Sequence, residues 1–374
     1  MVEFWSYKQE YNKYNKQILK IIDKTLKKGS VFFSAELDNF EKKFIQKYRA
    51  KYGVAVGSGT EAITIAIKSL GIKSGDEIIT AANTAIPTIT AIINAGAKPR
   101  LIDVGEDYLI DVNKIQREIT SRTKAIIPVH LYGQTCEMDK ILKIAKKNKI
   151  QVIEDCAQAQ GAFYKKKYAG TIGRLGCFSF YPTKILGAYG DGGFILTDDF
   201  KTYKKIKRLR FYGIETVENN KYKNKYYSFE NGYNSRLDEV QASILNFKLK
   251  KVDSFIEKRR NLAKIYIKEL SSTNLILPKE NNYNRHVYHL FTVRHSKRDR
   301  IIKNLLKYKI NTRVIYPYPI HIMKGYDKFI NNKDRLSNSL KKSKEIFSLP
   351  LYPELSIKDI KHICKTLKRV VSKM

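Results

Sequence analysis

The 374-residue sequence predicts an α/β protein, with a large domain over 1–235 built on a mostly parallel sheet and a smaller α+β domain over 236–374. Three observations predict it. Short apolar runs of strand length alternate with amphipathic segments of helix length through the first half of the chain. A hydrophobic content of 43% over this length is enough to bury two cores. Past about residue 236 the alternation gives way to one long helical run and then a mixture of strands and helices.

The elements follow in order. Apolar residues at three- and four-residue spacing predict helices over 10–27 and 35–48. A strand at 54–56 leads through Gly57-Ser58-Gly59-Thr60 into a helix ending at 70, and a strand at 77–81 leads into a helix at 87–94. Further strands are expected at 98–103, 124–130 and 151–155, with a helix at 138–147 between the last two. Strands at 176–181 and 192–197 bracket a Gly-rich loop, and a charged helix follows at 200–210. The Tyr-, Asn- and Lys-rich stretch 215–233 reads as a long loop of the length that carries function, and 237–270 reads as one long helix. Strands at 287–293 and 313–316 and helices at 297–307 and 356–371 complete the smaller domain, with no internal repeat.

Composition narrows the function classes. The longest apolar runs, such as 81–93, are interrupted by Asn, Thr and Pro and are too short to span a bilayer, so no membrane association is expected. The first residues lack the basic start, apolar stretch and small-residue cleavage site of an export signal, which points to the cytoplasm. Cys136, Cys156, Cys177 and Cys364 form no CxxC pair and have no histidines at zinc-ligand spacing, so they read as reduced thiols and no metal is expected. Cys156 and Cys177, in apolar strands, read as small buried hydrophobes. The formal charge of +35 raises nucleic-acid binding, but the basic residues are dispersed, with no basic tail and no DNA-reading module. They are read instead as solvated helix faces whose summed field favours an anionic substrate.

Three local patterns carry chemistry. Ser58, Gly59 and Thr60 follow a strand and open a helix, where free N–H groups, the helix dipole and hydroxyls can converge on a phosphate or simply cap the helix. Asp155 ends an apolar strand, the position where parallel sheets place ligand-binding groups, and also a position for a turn cap. Lys184 lies just after a strand and before Gly187-Ala188-Tyr189-Gly190-Asp191-Gly192-Gly193, backbone that turns tightly or approaches a ligand closely. That setting fits a partly desolvated amine of lowered pKa able to form a Schiff base.

The order SGTEA (58–62), IEDCAQA (153–159), FSFYPTK (178–184), GAYGDGG (187–193), GYNSRLDEVQA (232–242), HVYHLF (286–291) and YPYPIH (316–321) strongly resembles the DegT-type nucleotide-sugar aminotransferases, over nearly the whole chain. The resemblance implies the type I, aspartate-aminotransferase fold of pyridoxal-phosphate (PLP) enzymes and a homodimer with active sites at the subunit interface. By that resemblance Lys184 matches the Schiff-base lysine and Asp155 the carboxylate on the pyridinium nitrogen. Ser58, Gly59, Thr60 and Ser179 match groups on the cofactor phosphate, and Gln158 a residue beside the ring and its 3-hydroxyl. Asn234 matches a residue reaching the phosphate of the neighbouring subunit. Tyr181, His286, His289, Tyr316 and His321 match positions on the sugar-nucleotide side. One departure stands out: many relatives carry a ring-stacking aromatic where this chain has Ala85.

The implied reaction is ping-pong. Glutamate donates its nitrogen to the cofactor, giving pyridoxamine phosphate, and a nucleotide-linked keto-sugar then accepts it, with Lys184 as acid and base. A sugar dehydratase on the same fold would carry histidine in place of Lys184, and a non-catalytic regulator would account for the charge but not for the motifs. The loop 186–193 resembles that of relatives acting at C-3, so a dTDP-linked 3-keto-6-deoxyhexose is the expected acceptor, with a dTDP- or UDP-linked 4-keto sugar as the alternative.

Overall fold

The computed structural model describes residues 1–215, 226–332 and 335–374. Its centre is a sheet assembled from β1 (Tyr52–Val56), β2 (Glu77–Ala81), β3 (Lys98–Ile102), β4 (Thr123–Ile127) and β5 (Gln151–Asp155). A small hairpin follows, β6 (Phe163–Tyr164) and β7 (Lys167–Tyr168), and then β8 (Leu175–Ser179) and β9 (Gly193–Thr197) rejoin the sheet. The order across it is β1-β9-β8-β5-β4-β2-β3. Only β9 runs against its neighbours, so six of the seven strands point the same way and their carboxyl ends open on one edge.

Both faces of the sheet are covered, which is why β2, β8 and β9 are buried at every position instead of alternating. In β1, Val54 and Val56 face one layer, formed with helices Gly59–Ser69, Ile86–Asn94 and Phe200–Leu209. Ala55 faces the other, where helices Ala35–Tyr48 and Glu239–Leu249 pack. That second layer holds a nest of aromatic rings, with centroid separations of 5.3 Å for Phe40–Phe180 and 4.5 Å for Phe44–Phe194. The buried Glu239 ties its two helices together by accepting the N–H groups of Ser34, Glu36 and Leu37 at the opening turn of Ala35–Tyr48.

After the short strand β10 (Asn284–Arg285), a second layer is built on the antiparallel pair β11 (Phe291–Arg294) and β12 (Ile346–Leu349). Helices Val252–Leu270, Arg298–Lys307 and Ile357–Val371 share its core. Val2 pairs with Ile310, so the first residues of the chain are tied to this C-terminal layer.

Several expectations need correction. The single helix expected over 237–270 is two, Glu239–Leu249 and Val252–Leu270. Nothing in Lys248-Leu249-Lys250-Lys251 is a helix breaker; the bend follows from packing, the first helix lying on Ala35–Tyr48 and the second on Ile357–Val371. The strand expected from 287 begins only at Phe291, because Val287 and Leu290 donate instead to the carbonyls of Gly133 and Tyr132. The strand expected at 313–316 is reduced to one bridge between Arg313 and Ser348. Helix Ser337–Glu345, β12 and the hairpin β6–β7 were not anticipated. Of the loop expected at 215–233, residues 216–225 lie outside the described residues. No described helix is long and apolar enough to cross a membrane, and all four cysteines are free and buried.

Candidate active site

The common direction of the strands brings Ser58, Gly59, Thr60, Asp155, Ser179 and Lys184 to one edge of the sheet. Beyond β1, the Ser58 side chain accepts the N–H of Glu61 at 3.2 Å and so caps helix Gly59–Ser69. The N–H groups of Gly59 and Thr60, in the first turn, have no acceptor within the helix and mark its positive end. Ser179, the last residue of β8, lies against this turn: a Cβ on Gly59 would stand 2.6 Å from the Ser179 Cβ. A Cβ on Gly193, at the start of β9, would stand 2.3 Å from the Ser58 carbonyl oxygen. Glycine at both positions lets three strand ends close into a cradle of N–H and hydroxyl groups.

Asp155, at the end of β5, is buried. Its carboxylate accepts the Thr88 hydroxyl at 2.8 Å and the Ala157 N–H at 3.1 Å, and Thr88 in turn contacts the Thr84 hydroxyl at 3.1 Å. Helix Ile86–Asn94 thereby orients a negative charge made at the end of another strand. Nothing in sequence spacing links Thr88 to Asp155.

Lys184 follows a tight turn in which its N–H donates to the Tyr181 carbonyl at 2.8 Å. Burial pulls its amine down to about 8, against the opposing pull of the Asp155 carboxylate. The loop behind it is anchored away from the site. Tyr189 donates its N–H to Gln241 at 2.9 Å and its hydroxyl to Glu10 at 3.3 Å, and the Lys248 amine lies 5.1 Å from its ring.

Gln158 accepts the Tyr132 N–H at 2.8 Å and donates to the Tyr316 hydroxyl at 3.0 Å. Burial beside Asp155 pushes the Tyr316 phenol up to about 12, so it stays protonated. The segment carrying Tyr316 and His321 is pinned to the large sheet by the Ile320 N–H, which donates to the Ala82 carbonyl at 2.9 Å beyond β2. His289 is buried, and the loss of solvent, helped by the nearby cations of Lys184 and Arg259, holds its imidazole well below its ordinary pKa and neutral. Tyr181 is exposed at the mouth. His286 is turned elsewhere: it stacks on Tyr288 at 4.0 Å, accepts that residue's N–H, and lines a separate cavity. Asn234 is exposed on the surface of the chain, next to Ser235, which accepts the Gly57 N–H and donates to Glu61.

Tyr132, with φ of 59°, and Thr88 are site residues that the motifs did not flag. His130, Glu154 and Cys156 bring three ligand-type atoms together in the core. There Glu154 accepts the N–H groups of Gly170, Ile172 and Gly173 as well as pairing with His130, and so holds the turn before β8.

Residues 12–368 match the DegT/DnrJ/EryC1/StrS aminotransferase family. The chain is 41% identical over 357 residues to the dTDP-3-amino-3,4,6-trideoxy-alpha-D-glucose transaminase of Micromonospora megalomicea subsp. nigra, covering 94% of each chain. It is 39% identical over 370 residues to the dTDP-3-amino-3,6-dideoxy-alpha-D-galactopyranose transaminase of Aneurinibacillus thermoaerophilus, covering 99% of each. The crystal structure of S. venezuelae DesV in complex with a ketimine intermediate superposes with a TM-score of 0.94 at 32% identity, over 100% of this chain and 99% of that one.

Proposed function

From the premise that the chain belongs to the DegT/DnrJ/EryC1/StrS aminotransferase family and is a sugar aminotransferase, we propose that it moves an amino group from glutamate to C-3 of a dTDP-linked 3-keto-6-deoxyhexose, using pyridoxal phosphate held at Lys184. The observation that carries this reading is the convergence of three unlike groups on one sheet edge. An anion cradle lies beyond β1 and β8, a buried carboxylate ends β5, and a partly desolvated amine follows β8.

These residues fit the cofactor. The cradle closed by Gly59 and Gly193 would take its phosphate, with Ser58, Thr60 and Ser179 supplying hydroxyls. Asp155, held by Thr88 and Ala157, offers its charge to the ring nitrogen, and Gln158 stands where Tyr132 and Tyr316 hold it by both ends of its amide. When bound, the cofactor supplies the electron sink for the carbon that loses a proton. The protein's part is positional and acid-base. With its pKa near 8, Lys184 Nζ is neutral in a useful fraction of molecules at neutral pH. It would carry a proton from the donor's α-carbon to the cofactor and, when the sugar is the partner, from the cofactor to the sugar carbon that receives the nitrogen. Tyr181, His289, Tyr316 and His321 are assigned to the acceptor side. His286 is kept as a candidate only through its neighbours in HVYHLF.

Two further readings belong to the proposal. The boundary at 235/236 is taken as the division between cofactor-binding and C-terminal domains. A homodimer is supported by the exposed Val31, Phe32 and Phe33 close to Asn234: Phe33 contacts Phe211, which bridges to Asn234, and Phe32 lies under Arg236. In that dimer Asn234 serves the neighbouring site. C-3 is preferred because both transaminases described above are named for 3-amino sugars and because the loop carrying Tyr189 resembles the C-3 type. The test is to incubate the protein with glutamate and either the 3-keto or the 4-keto sugar nucleotide and to locate the new amine by NMR. Amination at C-4, with no product from the 3-keto substrate, overturns the regiochemistry and leaves the aminotransferase intact.

A further inference from the structure

A cavity of about 640 Å³ lies between residues 105–113, which follow β3, and residues 276–281 of the C-terminal layer, with Tyr132 in its lining and Gln158 outside it. Neither Lys184 nor Asp155 reaches it. Its volume falls in the range of small-molecule sites. Tyr108, Leu109, Leu131, Tyr132 and Leu290, all buried, give it an apolar floor, and Gln134 and Asn281 stand on its wall.

The charges around it run opposite to those of the whole chain. On a protein of net charge +35, the cavity is lined by Glu106, Asp107, Asp111 and Glu137 with Lys279 as its lysine. Three of these carboxylates are already neutralised: Glu106 by Lys342 and Arg294, Asp111 by Lys114, and Glu137 by Lys140. Asp107 differs. Its oxygens accept the Leu109 N–H and the Asn281 side-chain N–H, both at 3.2 Å, and no described cation pairs with it. Burial pushes its carboxyl above the ordinary range, as expected for a carboxylate that lacks a counter-charge.

We propose that this cavity is a second binding site, distinct from the reaction site, for a small phosphate-free primary amine of amino-sugar size whose ammonium pairs with Asp107. The ammonium supplies the missing cation, the aromatic and aliphatic floor takes the ring, and Gln134 and Asn281 meet hydroxyls. A phosphate at that position is disfavoured by Asp107, which no described cation neutralises. Tyr132 links the two places: it lines the cavity, its N–H holds Gln158, and its hydroxyl donates to the Ile315 carbonyl beside Tyr316. An occupant therefore touches the residue that sets Gln158.

The test uses the full-length holoenzyme reduced with borohydride, which fixes the cofactor on Lys184 as a secondary amine and leaves no aldehyde for an added amine to condense with, titrated calorimetrically with D-glucosamine and, separately, with the uncharged D-glucose. Saturable binding of glucosamine at one site per chain is expected, with glucose weaker by about tenfold or more, the worth of one charge-assisted contact. Asp107→Asn should lose a similar factor at unchanged thermal stability. Ile276→Trp, at the half-exposed rim, should block the site and leave transamination in the otherwise native protein intact. Absence of glucosamine binding, equal binding of glucose, or binding indifferent to both substitutions would overturn the proposal; none of these results bears on the aminotransferase reading.

Discussion

At the scale of single residues, the proposed chemistry rests on side chains whose surroundings shift their ordinary behaviour. Lys184 is one of 71 basic residues, and what separates it is desolvation. Rapid mixing of the cofactor-free protein with pyridoxal phosphate should give a capture rate that rises with pH around a midpoint of about 8, whereas an ordinary lysine would titrate near 10.4. A midpoint near that ordinary value would remove the assignment. Lys184→Ala should lower turnover by roughly 10² to 10⁴ or more, since a positioned acid-base group is lost together with the anchor. Thr88→Val deletes the hydroxyl held by Asp155, a charge-assisted bond worth about 1.5–3 kcal/mol. Cofactor affinity, read by equilibrium dialysis, should fall about tenfold while the fold survives. Asp155→Asn should reduce both affinity and rate in a folded protein, and an unchanged rate would leave Asp155 a structural role alone.

At the scale of elements, the cradle depends on how closely three strand ends approach. Gly59→Ala places a methyl group 2.6 Å from the Ser179 Cβ, and the backbone must open. Overpacking of this kind costs about 1–3 kcal/mol, so the variant is expected to bind phosphate-bearing cofactor poorly and to melt a few degrees lower by calorimetry. The motifs on strand ends were legible because each coincides with a change of local pattern: apolar strand, then glycine or charge, then helix. Thr88 and Tyr132 were not. Thr88 sits in the first turn of a helix, and its relation to Asp155 exists only because β2 and β5 lie in one sheet with β4 between them. The helix break after Leu249 was illegible for a similar reason, since it answers to two different packing partners and not to any breaker residue.

At the scale of the whole molecule, the excess positive charge and the aromatic core set general behaviour. Long-range attraction of an anionic sugar nucleotide should weaken as salt shortens the Debye length to about 8 Å at physiological ionic strength. KM for the nucleotide sugar should therefore rise with added salt more steeply than KM for a neutral sugar analogue, and equal slopes would show that the charge is merely a solvated surface. Phe44→Ala removes the ring packed on Phe40, Tyr48, Phe178, Phe180 and Phe194. A loss of about 3–5 kcal/mol is expected in denaturant unfolding, felt at the cradle because that layer backs β1, β8 and β9.

The α/β class, the positions of most strands and helices in the large sheet, and the residues that stand at its edge were legible in the chain's local patterns. Local periodicity and residues that must stand at strand ends are properties of short stretches of chain. Tertiary structure alone decided which of the candidates face one another. It brought Thr88 to Asp155, set Gln158 between Tyr132 and Tyr316, and drew Tyr189 back onto Glu10 and Gln241. It also turned His286 away from its motif neighbour His289 and left Asp107 partly buried with no described cation paired to it. These are meetings between residues tens to hundreds of positions apart, and they are fixed by the order and direction of strands, which no local pattern encodes.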